Sequence, residues 1–506
     1  MTLTASITLD GKGFGILEIE APKTDITVQP EHIHIVIDTS ASMEERCGDG
    51  NKKLDQIKHV AKNILRYLAN NCPSKNVSVS ITTFNTIVTE LFKNVIATES
   101  NLGELIDIIN RVHAESETNI ERALNHMSRD KTTNIFMSDG DANKGETRPS
   151  ELAKLVDPNV SNTFVGFGLR HNAQIFDALG SVKGGKYYFI DNIEKSGLAY
   201  GNILADILFT SVREIRINVQ NGKIYDWKTN EWTTDLEIGD MSSEMKKTFQ
   251  LSRATVESQD TSFEPIVSIV SAESAIQATT FNEPTDLTKY KYRLRTQEFL
   301  YKAKQDGTPE LRTEIAEFTK EMKSYMHEKE LTEDLLMKNL CDDMVIVYRT
   351  LGTRVGFMYS NARQTSQGTE RAFNVYSTPS RCVGDDMNDH DVSDDSPYNT
   401  IHTQALMRDI SDRTEMNTSS QHSSVFPRLD TSSQHSSVFP RLDTSSQHSS
   451  VFPRLDKSYR PTLPSVFPEF DDSHELQTVC DAALIDLQDG SVMDTSHGSL
   501  TRSPSI

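Results

Sequence analysis

Residues 31–208 predict an α/β fold: a doubly wound, mainly parallel sheet. A β-rich accessory domain, a helical region and a disordered tail are expected beside it. Three observations carry this reading. Apolar runs of strand length alternate with stretches of helical periodicity up to about residue 208. Short alternating runs separated by polar turns then take over, and helical spacing returns after about residue 286. Beyond 376 the chain turns rich in Ser, Thr, Asp, His and Pro, a composition that buries too little apolar surface to offset its ordering entropy.

The elements follow in order. Within 1–30, ITLDGKGFGILEIE reads as a β hairpin, its Gly-rich middle a turn. The glycine spacing fits neither phosphate-loop pattern. HIHIVID is a strand, and LDQIKHVAKNILRYLANN a helix with Leu54, Ile57, Ala61, Ile64, Leu65 and Leu68 on one face. VSVSITTF and VTELFKNVIA form a hairpin turning at Asn85-Thr86, and helices follow near 102–112 and 119–127. NIFMSD, SNTFVGFGL and KYYFID are strands; PSELAKLV, HNAQIFDALGSV and a stretch near 198–210 are helices.

In the accessory domain, 209–285, the strands are VREIRINV, KIYDWK, EWTTDLEI, KKTFQLS and EPIVSIVSA, and the N-terminal hairpin is expected to pair with them. In 286–375, Leu311, Ile315, Phe318, Met322 and Tyr325 keep helical spacing, as do Leu336, Leu340, Met344 and Val347, implying an antiparallel helix pair. The tail, 376–506, repeats TSSQHSSVFPRLD three times over 418–456. These repeats read either as a neutral linker expansion or as multivalent docking segments.

Composition narrows the function. A chain of 506 residues with 52 Lys+Arg against 73 Asp+Glu carries a formal charge of -21, which repels nucleic-acid phosphates but favours a local cation site. Five scattered cysteines without a C-x-x-C pair oppose a disulfide framework or a zinc ribbon. With no secretory leader and no apolar run long enough to span a bilayer, an intracellular, cytoplasmic protein is expected.

The most informative stretch is IHIVIDTSASMEE, from Ile33 to Glu45. Its strand ends in Asp38, Ser40 and Ser42, at the edge where such sheets bind ligands. Thr118, in SETNIERAL, opens a helix, and Asp139 closes the strand NIFMSD. Two carboxylates and three hydroxyls are thus delivered to one rim, a specific combination. Other candidates weigh less. His32 and His34 read as strand residues, Cys47 as a structural thiol, Asp141 as a solvated loop acid, and the acid run 384–395 as a solvated stretch.

In this order, DTSAS, Thr118 and SDG make residues 31–208 resemble a von Willebrand factor A domain with its metal-ion-dependent adhesion site. The resemblance implies a Rossmann-like fold in which Ser40, Ser42 and Thr118 bind Mg²⁺ (or Mn²⁺) directly or through water. Asp38 and Asp139 act through bridging contacts, and the open position takes an acidic side chain of a protein partner. Ser116-Glu117 stands where small glycines are common in the family. Residues 290–375 resemble the helical "vwaint" region that follows such domains in uncharacterised proteins of giant DNA viruses and protists, which adds the host cytoplasm or a virion to the expected locations. The implied function is a metal-dependent protein-interaction scaffold, not an enzyme. The alternative is a metal-dependent enzyme, or an enzyme subunit, in which the ion polarises a substrate.

Overall fold

The computed structural model describes residues 3–24, 31–47, 50–72, 77–129, 132–140, 142–190, 196–253, 263–281, 284–371 and 398–412. Asp141, the acid run 384–395 and the repeats of 418–456 lie outside the described residues. The chain opens with the hairpin β1 (Thr4–Leu9) and β2 (Phe14–Glu20). Its turn places Gly11 and Gly13 at φ +70° and +98°, which side chains with a Cβ rarely adopt.

The α/β unit follows. Strands β3 (Glu31–Asp38), β4 (Val77–Phe84), β5 (Val88–Val95), β6 (Thr132–Ser138), β7 (Ser161–Phe167) and β8 (Gly185–Ile190) form one sheet in the order β5-β4-β3-β6-β7-β8. All pairings are parallel except β4 with the edge strand β5. From β3 the chain crosses to β4 on one side and later to β6, β7 and β8 on the other. A crevice therefore opens where the order reverses, at the carboxyl end of β3. Helices α1 (Lys53–Asn71), α2 (Leu102–Asn110), α3 (Ile120–His126), α4 (Pro149–Ala153), α5 (Ala173–Gly180) and α6 (Ser196–Leu208) cover the two faces. The α1 face read from the sequence, Leu54 through Leu68, is buried against Ile33, Ile35 and Ile37. On the opposite face Val36 and Phe136 pack with Leu124, Phe176 and Leu179. Strands buried on both faces need apolar side chains at consecutive positions, which is what β3 supplies.

Among the described residues ten strands, β1 and β2 with eight more, build a two-sheet sandwich. β9 (Thr210–Gln220) leaves α6, and β10 (Lys223–Asp226), β11 (Glu231–Thr233), β12 (Asp235–Ser242), β13 (Lys246–Ser252), β14 (Ile266–Val270), β15 (Ala275–Gln277) and β16 (Thr279–Phe281) follow, ordered β11-β10-β13-β2-β1-β16 and β12-β9-β14-β15. EWTTDLEI, read as one strand, divides between the two sheets. Asp235 N–H donates to Thr233 Oγ1 at 3.2 Å in the turn between its halves.

Four helices, not a pair, make the next layer: α7 (Thr288–Gln305), α8 (Pro309–Glu328), α9 (Leu335–Thr350) and α10 (Arg354–Thr369). The sequence marks α8 and α9 because their buried faces are apolar. α7 and α10 bury polar groups beside their apolar ones, including Arg293, Gln297, Asn361 and Gln364, which blurs their hydrophobic periodicity. Buried Arg293 pairs with buried Glu370, and the Glu370 carboxylate accepts Thr248 N–H at 3.0 Å, joining α7, the end of α10 and β13.

The expectation of a disordered tail from 376 is corrected at 398–412. Helix α11 (Ile401–Ser411) lies along α6 and α1, with Leu406, Met407 and Ile410 fully buried. The contact is close because α6 presents Gly197 and Gly201 one turn apart. A Cβ at Gly201 would come within 2.6 Å of Met407 Cα, and one at Gly197 within 2.7 Å of Ser411 Cα. A single short amphipathic helix inside a polar segment gives too little pattern to read, and its packing partner is remote in sequence. Among the described residues no helix is long and apolar enough to cross a membrane.

Leu406→Ala is expected to cost about 2–5 kcal/mol in an unfolding titration, as for other buried leucines. A chain ending at residue 376 should melt below one ending at Asp412; equal melting temperatures would show that α11 adds nothing to the fold.

Candidate metal centre

The crevice at β3 and β6 gathers the five residues singled out in the sequence. Asp38 is the last residue of β3 and is fully buried. Its Oδ1 accepts the backbone N–H of Ser40 at 2.7 Å, and its Oδ2 accepts the hydroxyl of Ser138. After Asp38 the chain turns through a short 3-10 helix, Ala41–Glu44, which points the hydroxyls of Ser40 and Ser42 at one another, 3.1 Å apart. Ser42 Oγ then donates to Asp139 Oδ1 at 2.7 Å. An unbroken hydrogen-bonded path thus runs from β3 to the end of β6.

Thr118 arrives from a separate loop. Its N–H donates to Asn143 Oδ1 at 2.8 Å, and its carbonyl accepts Asn143 N–H at 3.1 Å. A Cβ built on Gly140 would stand 3.4 Å from Thr118 Oγ1 and 3.8 Å from Ser42 Oγ, so the glycine keeps the rim open between these hydroxyls. The loop is seated by Ala41 N–H on the Ser116 carbonyl at 2.9 Å and Glu115 N–H on the Thr39 carbonyl at 2.8 Å. Ser116 has φ +71°, a left-handed conformation that glycine adopts more readily. Glu117 faces away, with Lys144 Nζ 3.4 Å from its carboxylate.

Sequence reasoning missed three contributors. Ser138 and Asn143 position Asp38 and Thr118 through the bonds above. Lys53, the first residue of α1, places Nζ 2.6 Å from Asp139 Oδ2 and 2.7 Å from Glu45 Oε2. A signal for it existed: Lys52-Lys53 opens a helix where the macrodipole disfavours cations, so nearby acids are needed. Burial holds back the Lys53 ammonium, yet Asp139 and Glu45 raise its pKa above the ordinary lysine value. Asp38 moves the other way from a normal carboxylate. Burial, and after it the charge of Asp139, lift it to about 7 despite the Ser138 and Ser40 bonds.

His32 and His34 lie away from this rim, within β3, and bond Ser78 and Thr82 at 2.8 and 2.9 Å. The centre therefore offers two carboxylates and three hydroxyls, with the deeper acid short of compensating charge. This donor chemistry fits a hard divalent cation.

Residues 32–200 match the family model for the von Willebrand factor type A domain. This part of the chain is a von Willebrand factor type A domain. Over 173 residues the chain is 28% identical to inter-alpha-trypsin inhibitor heavy chain H3 of Mus musculus, a match covering 30% of this chain and 18% of that protein. The chain thus spans under a fifth of that relative. Among solved structures it is similar to a von Willebrand factor type A protein of Catenulispora acidiphila, at 11% identity and TM-score 0.43, covering 60% of this chain and 80% of that one. It is also similar to the ArnB paralog VWA2 of Sulfolobus acidocaldarius, at 14% identity and TM-score 0.43, covering 73% and 98%.

The raised pKa of Asp38 sets a pH dependence for the metal-free A domain. A carboxyl at about 7 when folded and near 3.8 when unfolded adds stability that is complete below about pH 4 and lost as pH rises through 7. The Asp38 share should raise the melting temperature from pH 8 to pH 5. Asp343, also lifted to about 7 by burial, contributes in the same direction. His34, held down to about 4 by burial, opposes both below about pH 6.5. The Asp38 share is therefore read as the part of the pH dependence that Asp38→Asn removes.

Proposed function

We propose that the carboxyl edge of the A-domain sheet is a metal-ion-dependent adhesion site through which this chain binds an acidic side chain of a protein partner. The convergence of Asp38, Ser40, Ser42 and Asp139 on one bonded path, with the Thr118 hydroxyl beside Gly140, carries this reading. Asp38, Ser40, Ser42, Thr118 and Asp139 would hold Mg²⁺ or Mn²⁺; bound there, the ion supplies an electron-poor centre that attracts a carboxylate from outside.

The chain's own residues set the terms of that encounter. Hydroxyls neutralise little charge, so a rim built mainly from them leaves a bound cation attractive to an anion. Asp38 is too deep to meet a partner and serves to anchor and orient. Two large apolar side chains stand exposed at the same edge: Ile87, just past β4 and 54% accessible, and Leu169, just past β7 and 38% accessible. They flank the centre on opposite sides of β3 and β6 in the strand order. A partner carboxylate set among apolar groups fits this arrangement better than one in a wholly charged loop.

Millimolar Mg²⁺ or Mn²⁺ should raise the melting temperature of the full chain, with about 2.7 kcal/mol of added stability at a hundredfold excess over Kd. Ser40→Ala with Ser42→Ala should abolish that rise and leave the metal-free melting temperature within a few degrees. An unchanged rise in the double variant would rule out the proposed ligands. Ile87→Ser with Leu169→Ser should weaken partner binding, read in EDTA-sensitive capture, yet leave the Mg²⁺-induced rise intact.

A further inference from the structure

Lys53 carries a consequence for the metal centre that neither its charge nor its place in α1 explains alone. Its ammonium lies 2.6 Å from Asp139 Oδ2, and the side chains are 16% and 0% accessible respectively. A solvated surface pair would leave both groups wet and contribute little. Here a long, flexible chain gives up its freedom to bring one positive charge into a crevice already holding two acids. It does so from the first residue of a helix, where the macrodipole opposes a cation. The acid it neutralises is one of the five proposed ligands.

We propose that Lys53 is a tethered competitor for the divalent ion: it occupies the cation position against Asp139, weakens metal affinity, and withdraws onto Glu45 when the ion enters. This rests on the metal reading above. A lysine ammonium and a divalent cation on one carboxylate repel strongly at such range, so they share Asp139 poorly. The way out is built in. Glu45 Oε2 already lies 2.7 Å from the same Nζ, and the Glu45 side chain is 49% accessible, on the solvent side of Asp139. Lys53 N–H also donates to the Glu45 carbonyl at 3.0 Å, which holds the two residues side by side whichever way the ammonium turns. Arg170 Nη1, 3.8 Å from Glu45 Oε1, competes for this refuge from the outer side.

The test is calorimetric titration of the full chain with MgCl₂ and with MnCl₂ at fixed ionic strength. Lys53→Met, which keeps the stem and removes the charge, should bind about tenfold more tightly than wild type, equivalent to about 1.4 kcal/mol. Lys53→Arg should stay within about threefold of wild type. Glu45→Gln, which removes the refuge and leaves Lys53 folded onto Asp139, should bind several-fold more weakly. In melting experiments Lys53→Met should be less stable than wild type in EDTA and show the larger gain in saturating Mg²⁺. A purely structural role predicts the loss in EDTA without the larger gain. Equal or weaker metal binding by Lys53→Met, with wild type binding normally, overturns the competitor role alone; if Lys53→Met does not fold, the Glu45→Gln titration decides by the same comparison. Absence of divalent binding in wild type and all variants overturns the metal centre itself.

Discussion

Two buried carboxylates, Asp38 and Asp139, share one crevice, and the organisation of the carboxyl edge follows from keeping them there. The sheet order leaves no other place for them. β3 lies between β4 and β6, both parallel to it, so residues ending β3 and β6 emerge side by side. An uncompensated charge in such surroundings is costly. Ser138, the Ser40 amide, the Ser42 hydroxyl and the Lys53 ammonium each answer part of that cost. What they leave over is visible at Asp38, whose pKa is lifted to about 7. A centre with residual demand for positive charge has a use for a cation that a fully paired one would lack.

The edge is held by its own loops, and the layers behind it are joined by buried ion pairs. The loop carrying Thr118 is tied to the Thr39–Ala41 backbone, and it accepts a left-handed Ser116 to reach that position, a conformation with a cost of its own. Further away, the Arg293–Glu370 pair and Thr248 join the helical layer to the sandwich, and Arg371, 2.6 Å from Asp206, joins the end of α10 to α6. These are buried charged contacts. Their value lies less in net stability than in penalising any arrangement that leaves one partner alone.

The sequence made the A-domain fold legible because its strands are apolar on both faces and its helices amphipathic, so local pattern and tertiary burial agree. The candidate site was legible for a related reason: Asp38, Ser40 and Ser42 follow directly on β3, Asp139 directly on β6, and topology alone brings them together. Where pattern and burial part company, reading failed. α7 and α10 bury arginine, glutamine and asparagine among their apolar side chains, which blurs the stripe. α11 is short and finds its partner in two glycines of α6 that carry no side-chain signal of their own. Lys53 was passed over because a lysine at a helix start looks like an ordinary surface charge until Asp139 is seen beside it.

These omissions meet in α1. Its first residue holds Asp139 through the Lys53 ammonium, and further along the same helix Asn63 Nδ2 donates to the carbonyls of Ile410 and Asp412, at 3.0 and 3.1 Å. With a rise of about 1.5 Å per residue, these two points lie roughly 15 Å apart on one stiff rod. α11 clamps the middle of the helix, and Gly197 and Gly201 let it settle closely against α6. α1 is therefore held at two points, its first residue and its middle. The helix that carries the ammonium meeting Asp139 is thus also held by residues 401–411, a segment whose composition alone suggests no structure.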